Sequence, residues 1–120
     1  MKFYEILTPD FEHADGRGKL SQLTHGGYRQ INVLSSKKGV TRGGHYHKAS
    51  HEAFFVADGS VAVTFAKDGE TETVTFEENA FFEIPPLVSH SMYFPEDCIL
   101  VAMYDIPVEK GDGTKDIYPA

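Results

Sequence analysis

Cysteine is almost missing from this chain: Cys98 is the only one in 120 residues. No intrachain disulfide can form, and a chain of this length buries a core without such staples. A single thiol suits a reducing compartment, and the cytoplasm is the expectation. Long apolar runs are missing too. None approaches the roughly 20 residues that span a bilayer. The opening stretch Met1–Asp10 carries neither an apolar segment nor a small-residue cleavage site, which argues against a secretory leader. Basic charge is scarce: the formal net charge is -7, which disfavours nucleic acid and anionic membranes as partners. Helical periodicity is the last absence. No window repeats apolar residues at helical spacing for more than a turn or two, so the crossover helices of a doubly wound α/β fold are not there. With no repeat, low-complexity tract or linker, residues 1–120 read as one domain.

Apolar residues make up 41% of the chain, enough for a packed core and too many for disorder. Charge is divided unevenly. Met1–His51 carries eight Lys/Arg against four Asp/Glu, and Glu52–Ala120 carries three against fourteen. The basic residues Arg17, Arg29, Lys37, Lys38, Arg42 and Lys48 therefore share the half that holds most histidines. They form either a solvated basic face or, for Arg17, Arg29 and Arg42, a convergence on an anion such as a diphosphate, which the planar guanidinium grips in pairs of bonds.

The periodicity is β. Val61, Val63 and Phe65 alternate with Ala62 and Thr64, the signature of a half-buried strand. Strands are expected over 3–7, 19–23, 28–35, 41–47, 53–56, 61–65, 71–76, 88–94 and 98–104. Asp58-Gly59 and Lys67-Asp68-Gly69-Glu70 serve as turns. Cys98–Tyr104 is nearly all apolar and should be covered on both faces, and the polar tail Val108–Ala120 should pack loosely. Many short strands at close turn spacing specify an all-β sandwich or barrel, with a jelly roll as the natural closed solution.

Chemistry concentrates in two stretches. In the first, Gly39 to Gly59, residues two apart on a strand share a face, so His45 and His47 project together while Tyr46 points away. Glu52 returns on the adjoining strand. Two imidazoles and a carboxylate so placed make a divalent-metal half-site, though an isolated His-x-His is also compatible with a surface pair. In the second stretch, Asn79 to His90, His90 follows the rigid Pro85-Pro86 turn on an otherwise apolar and hydroxyl-bearing strand, where a histidine needs a partner. His51 alternates away from Glu52, and His13 and His25 read as loop residues.

These stretches resemble the two motifs of the cupin superfamily. Gly39, His45, His47, Glu52 and Gly59 fit the first at every fixed position. Pro85 and His90 fit the second, whose Gly, Gly and Asn places are taken here by Asn79, Leu87 and Phe94. The resemblance implies a cupin jelly-roll β-barrel, also called a double-stranded β-helix. It also implies one pocket joining His45, His47, Glu52 and His90, able to hold zinc, iron, manganese or nickel and needing no organic cofactor. Some cupins use such histidines as acid–base groups without metal.

A narrower resemblance rests on Asp15-Gly16-Arg17-Gly18, Gln30-Ile31-Asn32-Val33 and Thr41-Arg42-Gly43-Gly44-His45-Tyr46-His47. These look like cupins acting on nucleotide-linked keto-deoxysugars: dTDP-4-dehydrorhamnose 3,5-epimerases, sugar 3,4-ketoisomerases, and most closely the C-terminal cupin domain of CapF-type capsular polysaccharide enzymes. What the resemblance implies is an epimerase or ketoisomerase on a nucleotide 4-keto-6-deoxysugar in polysaccharide biosynthesis. His45 is then the first choice of base, His47 or His90 returns a proton, and Arg42 or a metal steadies the enediolate. Arg17, Arg29 and Lys48 are the candidates for binding the nucleotide sugar, and Tyr28, Tyr46 and Tyr104 are candidate acids. A metal-dependent, oxygenase-like cupin and a non-catalytic ligand-binding cupin are the alternatives. The apolar run Ile99–Met103 suggests either a homodimer contact or a central strand of a monomer.

Overall fold

Alternation decides which faces turn inward. The computed structural model describes residues 3–120. In it Val61, Val63 and Phe65 are fully buried while Thr64 between them is exposed, as a two-residue period requires. They lie on β7 (Ser60–Lys67), which pairs along its whole length with β8 (Glu70–Glu77). The connecting Asp68 and Gly69 both have positive φ, 53° and 79°, the hairpin turn whose twist matches its strands.

Two five-stranded antiparallel sheets face each other. One runs β1 (Glu5–Ile6), β9 (Phe81–Ile84), β6 (Glu52–Asp58), β11 (Cys98–Tyr104), β4 (Gln30–Ser36). The other runs β12 (Tyr118–Pro119), β5 (Thr41–Tyr46), β10 (Ser89–Tyr93), β7, β8. From β4 onward the chain passes back and forth between the sheets, the jelly roll expected from the turn spacing. Inner faces meet in an aromatic core in which Phe76 stacks on Phe82 at 3.7 Å and Tyr4 stacks on Phe65 at 5.0 Å. Each such buried ring contributes about 1.5–3 kcal/mol. A third pairing, β2 (Phe11–Asp15) with β3 (Gly18–Gln22), stands apart as a two-stranded hairpin.

Several expectations need correction. Strands β2, β9 and β12 were not foreseen, and His13 lies on β2 rather than in a loop. The tail does not pack loosely: Val108 and Asp116 are buried, Val108 N–H donates to Gln30, and β12 closes onto β5. Strand β11 is central, between β6 and β4, and its outer face is covered only in part: Met103 is buried in a second small cluster. Ile99, on the outer face, is 38% exposed. Among the described residues no helix is long and apolar enough to cross a membrane.

Candidate functional site

Strand pairing brings the histidines together. His90 on β10 lies opposite His45 on β5, and directly opposed residues share a face. The next pair is Ser91 with Gly43, so Gly44 is an extra residue, a β-bulge. Here β5 runs so close to β10 that a Cβ on Gly43 would sit 2.9 Å from the His90 carbonyl oxygen, and Gly43 has φ 89°. Glycine is therefore required. The bulge also changes phase: Arg42 comes to lie opposite Met92, on the inner face.

The second stretch explains its own departures from the cupin pattern. Asn79 and Leu87, in the motif's two glycine places, both hold positive φ, 74° and 72°. The left-handed turns are kept although the glycines are not. Leu87 N–H donates to the His47 carbonyl at 2.7 Å, which ties the turn before His90 to the end of β5.

The ligand-capable atoms of His45, His47, Glu52 and His90 all lie within 4.8 Å of one another. His47, Glu52 and His90 are buried; His45 is half-buried and so forms the pocket's opening to solvent. His47 Nδ1–H donates to the Asp116 carbonyl at 2.6 Å and His90 Nδ1–H to the Val88 carbonyl at 3.1 Å. Each ring thus turns Nε2 inward. Glu52 Oε1 lies 3.0 Å from His47 Nε2 and 3.3 Å from His90 Nε2. The first contact is a hydrogen bond. The second is close enough for an ion pair, but its alignment leaves His90 Nε2 without a hydrogen-bond partner. A buried ring nitrogen with a free lone pair, beside a carboxylate and two more imidazoles, fits a divalent cation.

Electrostatics separates the four. Burial works to raise Glu52, but the hydrogen bond from His47 and the adjacent His90 ring outweigh it and bring the carboxyl down to about 2. Burial works to lower His47, and its bonds to Glu52 and the Asp116 carbonyl outweigh that and raise it. His45 has no such bond, so burial, then the neighbouring His90 and His47, push it down to about 4. At neutral pH His45 is a neutral imidazole with a lone pair. Tyr104 packs edge-on to His47 at 5.7 Å, and burial and the Glu52 charge drive its phenol well above its ordinary value.

The basic candidates are not gathered around one point. Arg42 sends its guanidinium across to the other sheet, to Ser36 Oγ at 2.8 Å and the Ser35 carbonyl at 3.3 Å. Exposed Arg29 is at the opposite end of β4, where its N–H donates to the Tyr104 carbonyl; Ser36 lies seven residues further along the strand, about 23 Å away. Arg17 forks onto Asp15 at the hairpin tip, its side chain 88% exposed. The Lys48 ammonium sits 4.1 Å from the Tyr118 ring centre, and Tyr118 packs on Tyr46. The Tyr28 hydroxyl donates to Glu83. His51 is outside the pocket, paired with Asp105 at 2.8 Å, and His25 pairs with Asp10. A cavity of about 810 Å³ is lined by Glu5, Glu72 and Glu83 with His51, a lining that repels a diphosphate.

Sequence reasoning missed Asp116. Its carboxylate accepts N–H groups of Lys48, Ala49 and Ser50 and the Ser50 hydroxyl. Nothing in a polar tail signals such a partner.

Comparison with known proteins gives the following. A family model described as the polysaccharide biosynthesis C-terminal domain matches residues 13–105. No curated protein matches by sequence. Among solved structures, a variant of the 3,4-ketoisomerase QdtA from Thermoanaerobacterium thermosaccharolyticum, bound to TDP-4-keto-6-deoxyglucose, is 21% identical with a TM-score of 0.79; the match covers 88% of this chain and 82% of that one. The dTDP-4-dehydrorhamnose 3,5-epimerase of Sulfolobus tokodaii is 20% identical with a TM-score of 0.70, over 86% and 75%. The capsular polysaccharide assembling protein CapF of Staphylococcus aureus is 22% identical with a TM-score of 0.68, over 91% of this chain and 32% of that one. These identities establish a shared fold.

Proposed function

The chain belongs to the polysaccharide biosynthesis C-terminal domain family, and from that premise we propose that it is an isomerase of a nucleotide-linked 4-keto-6-deoxysugar, an epimerase or ketoisomerase with His45 as its base. One observation carries the reading: of the four pocket residues, His45 alone is partly open to solvent and free of hydrogen bonds, and it is held neutral. The folds shared with a 3,4-ketoisomerase and a 3,5-epimerase support it.

A hydrogen on C3 of a 4-keto sugar is acidic because its loss gives an enediolate. His45 takes that proton onto its lone pair, and the C–H electrons move into the C3–C4 bond as the carbonyl oxygen gains charge. A base held near 4 is weak, so the developing oxyanion needs strong stabilisation. Returning a proton to the opposite face of C3 gives the epimer. Returning it to C4, with loss of the C3 hydroxyl proton, gives the 3-keto isomer. The His47 imidazolium, held between Glu52 and the Asp116 carbonyl, has a proton to give. His47, Glu52 and His90 would hold a divalent cation in place of that His47 proton, with the His45 lone pair still left for the substrate proton. Such a cation supplies Lewis acidity toward a substrate oxygen.

The remaining assignments rest on surface features. The outer face of β4 and β11 exposes Ile31, Val33 and Ile99, an apolar patch that supports a homodimer. The buried, unpaired Cys98 suits the cytoplasm.

The test is incubation with TDP-4-keto-6-deoxyglucose in deuterated water. Incorporation of one deuteron is expected, at C3 for an epimerase and at C4 for a ketoisomerase, and is lost in His45→Asn. No exchange across a panel of nucleotide 4-keto-6-deoxysugars refutes the isomerase. Metal analysis of untagged protein, before and after chelation, decides the cation.

A further inference from the structure

The segment that follows the family match ends in the candidate site. Residue 116 lies beyond the matched range of 13–105, yet Asp116 is 1% exposed and touches the pocket twice. Through its side chain, Oδ1 accepts Lys48 N–H at 2.8 Å, and Oδ2 accepts Ala49 and Ser50 N–H at 3.0 Å each. Those are three of the four residues in the turn between His47 and Glu52. Through its backbone, the carbonyl accepts His47 Nδ1–H at 2.6 Å.

We propose that Asp116 is a positioning residue, which fixes the turn joining His47 to Glu52 and the ring of His47 itself, so that the segment after residue 105 completes the pocket. The physical need is specific. The N–H groups of successive turn residues have no strand partner, and leaving such groups buried without acceptors is costly. A single carboxylate satisfies all three. The same residue then fixes the imidazole: with Nδ1–H held by a carbonyl, Nε2 is directed at Glu52. Asp116 is itself placed from both sides. Its N–H donates to the Val108 carbonyl, and β12, two residues on, pairs with β5 at Tyr46 and His45. The alternative is that Asp116 merely staples a loop, with no hold on the ring.

Nitrogen-15 NMR of the metal-free protein separates these. His90 is the internal control, because its Nδ1–H is held by Val88 in the same pocket without Asp116. The wild type should show a slowly exchanging Nδ1–H on both rings. Asp116→Ala should lose the His47 signal and keep that of His90, and Asp116→Asn, which keeps an acceptor oxygen, should restore part of it. Asp112→Ala, an exposed acid of the same tail bound to Thr114, should change neither. An unprotonated His47 Nδ1 in the wild type, an unchanged His47 signal in Asp116→Ala, or joint loss of both rings' signals overturns the proposal. The inference takes from the proposed function only that this pocket is the working site. The measurement needs neither metal nor substrate, so the two can fail separately.

Discussion

Glu52→Gln in chelator-treated protein isolates the charge at the centre of the pocket. Glu52 is 3% exposed and shares one oxygen between two imidazoles. Its carboxyl falls from an ordinary 4.5 to about 2, because the His47 hydrogen bond and the adjacent His90 ring outweigh the cost of burial. That depression corresponds to about 3 kcal/mol of folding stability. The sign follows from the direction: stability from a depressed carboxyl is fully present above 4.5 and is lost as pH falls toward 2. His47 is raised, so its share is present below 6.5 and is lost as pH rises. The pair is thus strongest between about 4.5 and 6.5. Urea unfolding followed by circular dichroism at several pH values measures the gap between wild type and variant. It should be about 3 kcal/mol at pH 5 and roughly half that at pH 3, where the wild-type carboxylate is losing its advantage. A gap that stays flat across this range means that the histidines do not hold Glu52 as a charge, and the reasoning about the pocket fails.

Gly43→Ala should destabilise by at least about 2 kcal/mol, because φ is positive and the new methyl meets the His90 carbonyl; an unchanged melting temperature would refute the close approach of β5 and β10. Leu87→Gly should leave thermal stability unchanged or slightly raised. Relief of a left-handed leucine, about 1–2 kcal/mol, meets the flexibility that glycine adds to the unfolded chain, about 0.4–1 kcal/mol, and the side chain is 52% exposed. A loss above about 1 kcal/mol would show packing that the exposure does not reveal. Val33→Asp, at a site 68% exposed, should abolish the proposed homodimer, leaving monomer in light scattering with little change in melting temperature. A dimer that survives it does not use this face.

The cupin motif was legible because it is local: His45-Tyr46-His47 and the spacing to Glu52 lie on two strands and one turn, where the two-residue period fixes direction. The inner face of β7 was legible for the same reason, whereas β11 is apolar at nearly every position and carries no alternation to show which part of its outer face stays open. The hairpin strand β2 and the short β12 were not, since neither carries an alternating apolar pattern. The arginines show the limit most plainly. Composition placed Arg17, Arg29 and Arg42 in one half of the chain, but the hairpin tip holds the first and the two ends of β4 separate the others. Asp116 is the converse case, a polar tail residue drawn into the pocket by three unpaired N–H groups.

The sequence by itself determined the all-β class, the turn positions and the residues able to meet in one pocket. The first two depend on interactions between near neighbours, and the third on local spacing within two separate motifs. Only the tertiary structure decided which imidazole stays free, which nitrogen faces inward and where Arg42 is spent. Those follow from contacts between strands far apart in the chain, whose desolvation and hydrogen bonding no local pattern records.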